Sequence, residues 1–172
     1  MIAPQPAATR LVVGVGDLIV SNDPDAEIVT HALGSCIGVT IHDPAAGVGG
    51  MLHFMLPESR SNPERAAQSP AMYGDTGIPL LFRSCYDLGA RKERLVVCAA
   101  GGAEILDPEG VFKVGMRNRT ILRKLFWKNQ VLMAAEDTGG NHSRTLTLNL
   151  RTGAVSIRSQ GKLSNLWSPE PS

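Results

Sequence analysis

The sequence predicts an α+β fold in a single domain, a mixed and largely antiparallel sheet with two main helices. Three observations carry this. Short β-branched and aliphatic runs, cut by Gly, Asn, Asp and Pro clusters, outnumber helical stretches. Only two segments keep the three- and four-residue spacing of an amphipathic helix. Several runs are joined by short turns, which favours a mixed sheet covered by helices.

Taken in order, strands are expected near Leu11–Val20, Glu27–Leu33, Ile37–His42 and Val48–Met55. Glu58–Pro70 has no periodicity and reads as a polar surface loop. Ile78, Leu81, Phe82, Cys85 and Leu88 then recur at helical steps, with Asp75 or Thr76 as cap and Gly89 as the stop. A buried strand follows at Leu95–Ala99. A second helix spans Asn118–Lys128, with Ile121, Leu122 and Leu125 inward. Val131–Ala135 reads as a strand, and Thr145–Leu150 with Ala154–Arg158 as a hairpin turning at Thr152-Gly153. Residues 1–10 and 161–172 are expected to be flexible tails around a domain at 11–160.

Composition narrows the function. The 172 residues are 43% hydrophobic and 19% charged, with a formal net charge of +1. A chain of this size can bury roughly two-thirds of its accessible surface, enough for a core without metal or disulfide staples. The balanced charge argues against a nucleic-acid or anionic-membrane surface, and no apolar run is long enough to cross a bilayer. Cys36, Cys85 and Cys98 are odd in number and far apart, which suits reduced thiols in a cytoplasm. The four histidines form no H-x-x-x-H pair and no cluster with cysteine, so no metal site is expected. Gly14-Val15-Gly16 and Gly47-Val48-Gly49-Gly50 lack the remaining pattern of nucleotide-binding loops.

The informative segment is THALGSCIGVTIHDPAAGVGGMLHFMLP, Thr30 to Pro57. Cys36 follows Gly34-Ser35 where one extended segment ends and the next begins. Small residues there allow a close turn and close approach of a substrate, and a thiol is the side chain most readily activated as a nucleophile. A base must lie within reach. His42 is six residues along the same strand, about 20 Å away at roughly 3.3 Å per residue. His53 lies on the next strand, across the turn Asp43-Pro44-Ala45-Ala46-Gly47. If Asp43 and Ala46 close the turn, Cys36 and His53 stand opposite each other with Cβ atoms about 5 Å apart. A four-residue loop ending in a left-handed Gly47 shifts them to a diagonal on the same face. An odd-length loop puts them on opposite faces. A buried structural cysteine and a structural histidine between Leu52 and Phe54 fit the same residue types. Cys85 and Cys98 read as inert core residues.

These residues resemble those of the chemoreceptor glutamine deamidase family, CheD. Thr30, Cys36 in LGSC and His53 in GGMLHFMLP carry the likeness. Further blocks in the same order extend it: Tyr73-Gly74-Asp75-Thr76, Gly101-Gly102-Ala103, Val114-Gly115-Met116-Arg117-Asn118, and Glu136 to Asn141 followed by Arg144. Together they span about Leu11 to Arg158. The resemblance implies an α/β/α-type sandwich and a Cys36, His53 and Thr30 catalytic set without cofactor. Ser35 and Gly34 are candidates for oxyanion or substrate positioning. The implied substrate is a glutamine on the cytoplasmic helical bundle of a methyl-accepting chemoreceptor, and the implied partner a chemotaxis phosphatase of the CheC type. Two other classes use the same features: a thiol-dependent receptor methylesterase or transferase, and a non-catalytic chemotaxis adaptor.

Overall fold

The computed structural model describes residues 2–4, 7–105 and 112–169. Ten strands are present among them: β1 (Thr9–Val12), β2 (Asp17–Ser21), β3 (Ala26–Leu33), β4 (Ile37–Asp43), β5 (Val48–Phe54), β6 (Val96–Gly101), β7 (Ala135–Thr138), β8 (Arg144–Asn149), β9 (Val155–Ser159) and β10 (Lys162–Trp167). The helices are α1 (Pro63–Gln68), α2 (Gly74–Asp87) and α3 (Val114–Lys128).

The strands form two sheets rather than one. A central sheet runs β2-β5-β4-β6-β7 and an outer sheet runs β1-β3-β8-β9-β10. Every residue of β4 and β5 is buried, because both faces of the central sheet are covered. Ile37, Val39, Leu52 and Phe54 pack with Ile78, Leu81 and Phe82 of α2 and with Ile121 and Leu122 of α3. On the other face, Met51, Cys98 and Ala100 meet Ile28, Leu33, Leu146 and Leu148 of the outer sheet. The alternating burial of β8 marks the outer sheet as apolar on one side only. The α+β class holds, and the layers run helices, central sheet, outer sheet. The second helical layer of the expected α/β/α sandwich is replaced by β-structure.

Four local expectations change with it. The run Leu11–Val20 is two strands, since the chain passes from the outer to the central sheet between Val12 and Asp17. The tail expected from Gly161 contains β10, an antiparallel partner of β9. Its mostly exposed side chains hide it from a hydrophobicity pattern. The expected strand Val131–Ala135 begins only at Ala135, as β7, parallel to β6. The polar loop also contains a short helix, α1, whose Asn62 side chain accepts the Arg65 N–H at 3.1 Å.

The turn between β4 and β5 sets the register of the site. Gly47 takes φ +67° and donates its N–H to Asp43 O at 2.9 Å, pairing Asp43 with Val48 and Gly38 with His53. Of the two same-face registers, the diagonal one is realised. The turn is held by the fully buried Asp43 carboxylate, which accepts from the backbone N–H of Ala45, Ala46 and Arg91 and from the Arg94 guanidinium. Burial alone would raise this carboxyl, but Arg94 and the three N–H groups outweigh it and bring it down to about 2. A depressed carboxyl contributes stability above its unfolded value of 3.8, and that stability is lost as pH falls through about 2. Asp43→Ala is therefore expected to lower unfolding free energy by about 2 kcal/mol at pH 7. The deficit should shrink towards pH 2, as read from denaturation midpoints.

Candidate active site

Period two along β5 sends Leu52 and Phe54 to the helices and Met51 and His53 into the space between the sheets. Thr30, on β3 of the outer sheet, faces the same space two residues after Ile28. Both Thr30 and His53 are fully buried. Thr30 Oγ1 lies 2.7 Å from His53 Nδ1 and 2.8 Å from the Val13 carbonyl oxygen. One hydroxyl proton serves these two partners. The carbonyl can only accept, so the hydroxyl donates to Val13 O and accepts from Nδ1–H. The tautomer follows: Nδ1 carries the proton and Nε2 keeps its lone pair. Nε2 is buried and has no hydrogen-bond partner among the described residues. Burial pushes the ring's pKa down to about 4, so the imidazole is neutral at pH 7.

Cys36 lies just before β4, where the chain crosses from outer to central sheet. It is half-buried and packs against the inter-sheet cluster. His53 sits opposite Gly38, so Cys36 and His53 are one diagonal step apart, about 7–8 Å between Cα atoms in a regular ladder. Burial pushes the thiol above its ordinary value of 9.0, partly offset by its own backbone N–H. At pH 7 burial therefore keeps both the Cys36 thiol and the His53 ring neutral. Cys85 and Cys98 are fully buried, with pKa values pushed up by burial to about 12 and about 11. His42, as spacing required, lies elsewhere, against the Leu150 carbonyl at 3.1 Å.

The turn Gly34-Ser35-Cys36 is held by three donors. Ala103 N–H reaches Gly34 O at 2.9 Å, the Asn118 side-chain amide reaches Ser35 O at 2.9 Å, and Gly102 N–H reaches Cys36 O at 2.8 Å. Two glycines make this approach possible. A Cβ on Gly101, at φ +110°, would stand 2.2 Å from Cys36 O, and one on Gly115 of α3 would stand 2.4 Å from Ala103 O. Gly34, expected to supply the tight turn, has no positive φ; Ala32 takes the left-handed conformation, at φ 57°, in the bulge between Thr30 and Leu33. A cavity of about 340 Å³ opens beside the turn, lined by Gly34, Ser35, Ala103, Ile105, Val114 and Ser143 among others.

Spacing relates Cys36 to His53 and the resemblance adds Thr30, but neither gives a role to Val13, Gly102, Ala103 or Asn118. Three of these act through the backbone, which leaves no side-chain signal. Asn118 did have one. It stands three and four residues before Ile121 and Leu122, on the buried face of α3, which starts a turn before the Asn118 expected as its first residue.

Comparison with known proteins identifies the family. The family model described as CheD chemotactic sensory transduction matches residues 55–159, starting just beyond His53. The relatives reach further. A protein of Syntrophus aciditrophicus named "Probable chemoreceptor glutamine deamidase CheD 1" is 50% identical over 151 residues, covering 88% of this chain and 94% of the relative. A Solibacter usitatus protein, "Probable chemoreceptor glutamine deamidase CheD", is 45% identical over 91% of this chain and 93% of its own length. The Thermotoga maritima "Chemoreceptor glutamine deamidase CheD" is 37% identical over 88% and 93%. With one family model over most of the chain and such relatives matched over nearly their whole lengths, the chain belongs to the CheD family.

Proposed function

We propose that this protein deamidates glutamine side chains of chemotaxis receptors to glutamate, with Cys36 as nucleophile, His53 as general base and acid, and Thr30 orienting the ring. The observation that carries the reading is the Val13–Thr30–His53 chain of hydrogen bonds, which leaves the basic Nε2 facing no other partner on the strand face it shares with Cys36.

The chemistry balances with this chain's own groups. Nε2 takes the Cys36 proton as sulfur bonds to the carboxamide carbon, giving a tetrahedral oxyanion. The N–H groups of Ser35 and Cys36 are the candidate donors to that oxygen. The imidazolium returns the proton to the amide nitrogen, the C–N bond breaks, ammonia leaves and a thioester remains. Water then loses a proton to Nε2 and adds to the carbonyl. The C–S bond breaks and the thiolate recovers its proton, leaving glutamate and free enzyme. No helix among the described residues is long and apolar enough to cross a membrane, and the reading places the enzyme in the cytoplasm, where receptors expose their helical bundles. On the resemblance alone, it includes a CheC-type phosphatase as partner.

The test is a receptor cytoplasmic fragment incubated with the protein and analysed by mass spectrometry. Each converted glutamine gains about one dalton (arithmetic of amide to acid), with one ammonia released and no added amine incorporated. Amine incorporation would mark a transferase, and methanol release from a methylated fragment an esterase. An unchanged fragment that still binds would mark an adaptor.

A further inference from the structure

Asn118 is costly where it stands. It is fully buried on the apolar face of α3, beside Ile121 and Leu122, where leucine would satisfy both helix propensity and core packing. Its Oδ1 is buried without a hydrogen-bond partner among the described residues. An orphaned carbonyl oxygen in a core costs about 1–3 kcal/mol, so this position is not optimised for stability. What the residue achieves is at the other end of its amide. Nδ2 donates to Ser35 O at 2.9 Å and to Met55 O at 3.0 Å. One –NH2 group thus ties the turn that carries Cys36 to the end of the strand that carries His53.

The first of these bonds sets a direction. A peptide plane holds its C=O and N–H on opposite sides. The carbonyls of Gly34, Ser35 and Cys36 are all drawn towards the wall formed by Ala103, Asn118 and Gly102. The N–H groups of Ser35 and Cys36 therefore point away from that wall. Neither the Ser35 N–H nor the Cys36 N–H is hydrogen-bonded to another of the described residues. The Ser35–Cys36 peptide is the one whose carbonyl Asn118 holds, and its N–H belongs to the nucleophile.

We propose that Asn118 is a positioning residue that aims the Cys36 N–H at the oxyanion formed during deamidation; this rests on the function proposed above. The side chain never touches substrate. It acts by fixing one peptide plane, whose donor stabilises negative charge only in the transition state. Removing it should lower kcat rather than raise KM.

The experiment compares wild type with Asn118→Leu and Asn118→Asp on a receptor fragment. It adds two probes: a peptide aldehyde replacing the target carboxamide, and iodoacetamide. The aldehyde forms a tetrahedral adduct with an oxyanion, whereas alkylation forms none. Both variants are expected to lose about 100-fold in kcat with KM within about threefold. Aldehyde affinity should fall in parallel, while the rate of Cys36 alkylation stays within about threefold of wild type. A kcat within threefold of wild type in either folded variant overturns the proposal. So does a loss shared equally by alkylation and KM, which would describe a loosened turn. Should neither variant fold, NMR of the wild type decides: Asn118 side-chain amide protons should be protected from exchange, and exchange at the solvent rate overturns the idea. A wild type that leaves the receptor fragment unchanged defeats the functional reading instead, and the NMR measurement on the free protein still judges the grip of Asn118 on Ser35.

Discussion

Replacing Cys36 by alanine is expected to leave a folded protein in which deamidation of a receptor fragment falls by at least about a thousandfold. The fold should tolerate the change because Cys36 is half-buried, outside any strand, and held through its carbonyl rather than its sulfur. The activity should not, because no other thiol can substitute. Cys85 is on the buried face of α2, packed with Leu81 against Gly50 of β5, and Cys98 lies inside the sandwich. Burial holds both thiols far above neutrality. The mirror experiment is therefore equally informative: Cys85→Ala and Cys98→Ala should lose stability and keep kcat. Enzyme quenched in acid during turnover should carry a substrate-linked adduct on Cys36, absent from Cys36→Ala. Full activity in the folded alanine variant would remove the nucleophile and the mechanism with it.

The part of this site that sequence could show was set by side-chain periodicity. The Asp43–Gly47 turn restricted Cys36 and His53 to a few registers, and two of these kept them on one face. Choosing between those two required the φ of Gly47 and the hydrogen bonds of Asp43, which are properties of the folded turn. The two helices were legible because their apolar residues recur at three and four. The split into two sheets was not, because β1 and β2 read as one apolar run and only the crossing at Val13–Gly16 separates them. Val13 and the Gly14-Val15-Gly16 stretch after it reach the site through the main chain. Val13 O accepts a hydrogen bond from the Thr30 hydroxyl, and Gly16 N–H donates to His53 O at 2.8 Å. Such contacts are made by main-chain atoms that every sequence possesses, and only the fold brings them together.

Thr30 offers the sharpest test of how the base is prepared. Thr30→Val keeps the shape of the side chain and removes the oxygen that accepts from Nδ1–H. The proton then has no reason to remain on Nδ1, and a buried N–H loses its acceptor. A fall in kcat of about 10- to 100-fold is expected, less than for Cys36→Ala, because the ring itself is still present. Thr30→Ser restores the hydroxyl and should recover activity to within about fivefold. Recovery by serine but not valine would be the signature of the hydrogen bond; equal losses in both would point to packing. The pH dependence follows from the same burial. Because the folded ring has its pKa pushed down to about 4, it remains an unprotonated base well below the ordinary histidine value of 6.5. The acid limb of kcat/KM should accordingly fall near pH 4. Stability moves the same way: the unfolded chain takes up the His53 proton first, so stability present above 6.5 is lost as pH drops through about 4. At the other end, the Cys36 thiol sits above 9.0, so iodoacetamide labelling of the free enzyme should climb steadily past pH 9. A labelling rate already flat from pH 5 upward would mean a preformed thiolate–imidazolium pair. It would require the proton to leave sulfur before substrate arrives, contrary to a site in which both partners are neutral until the carboxamide is bound.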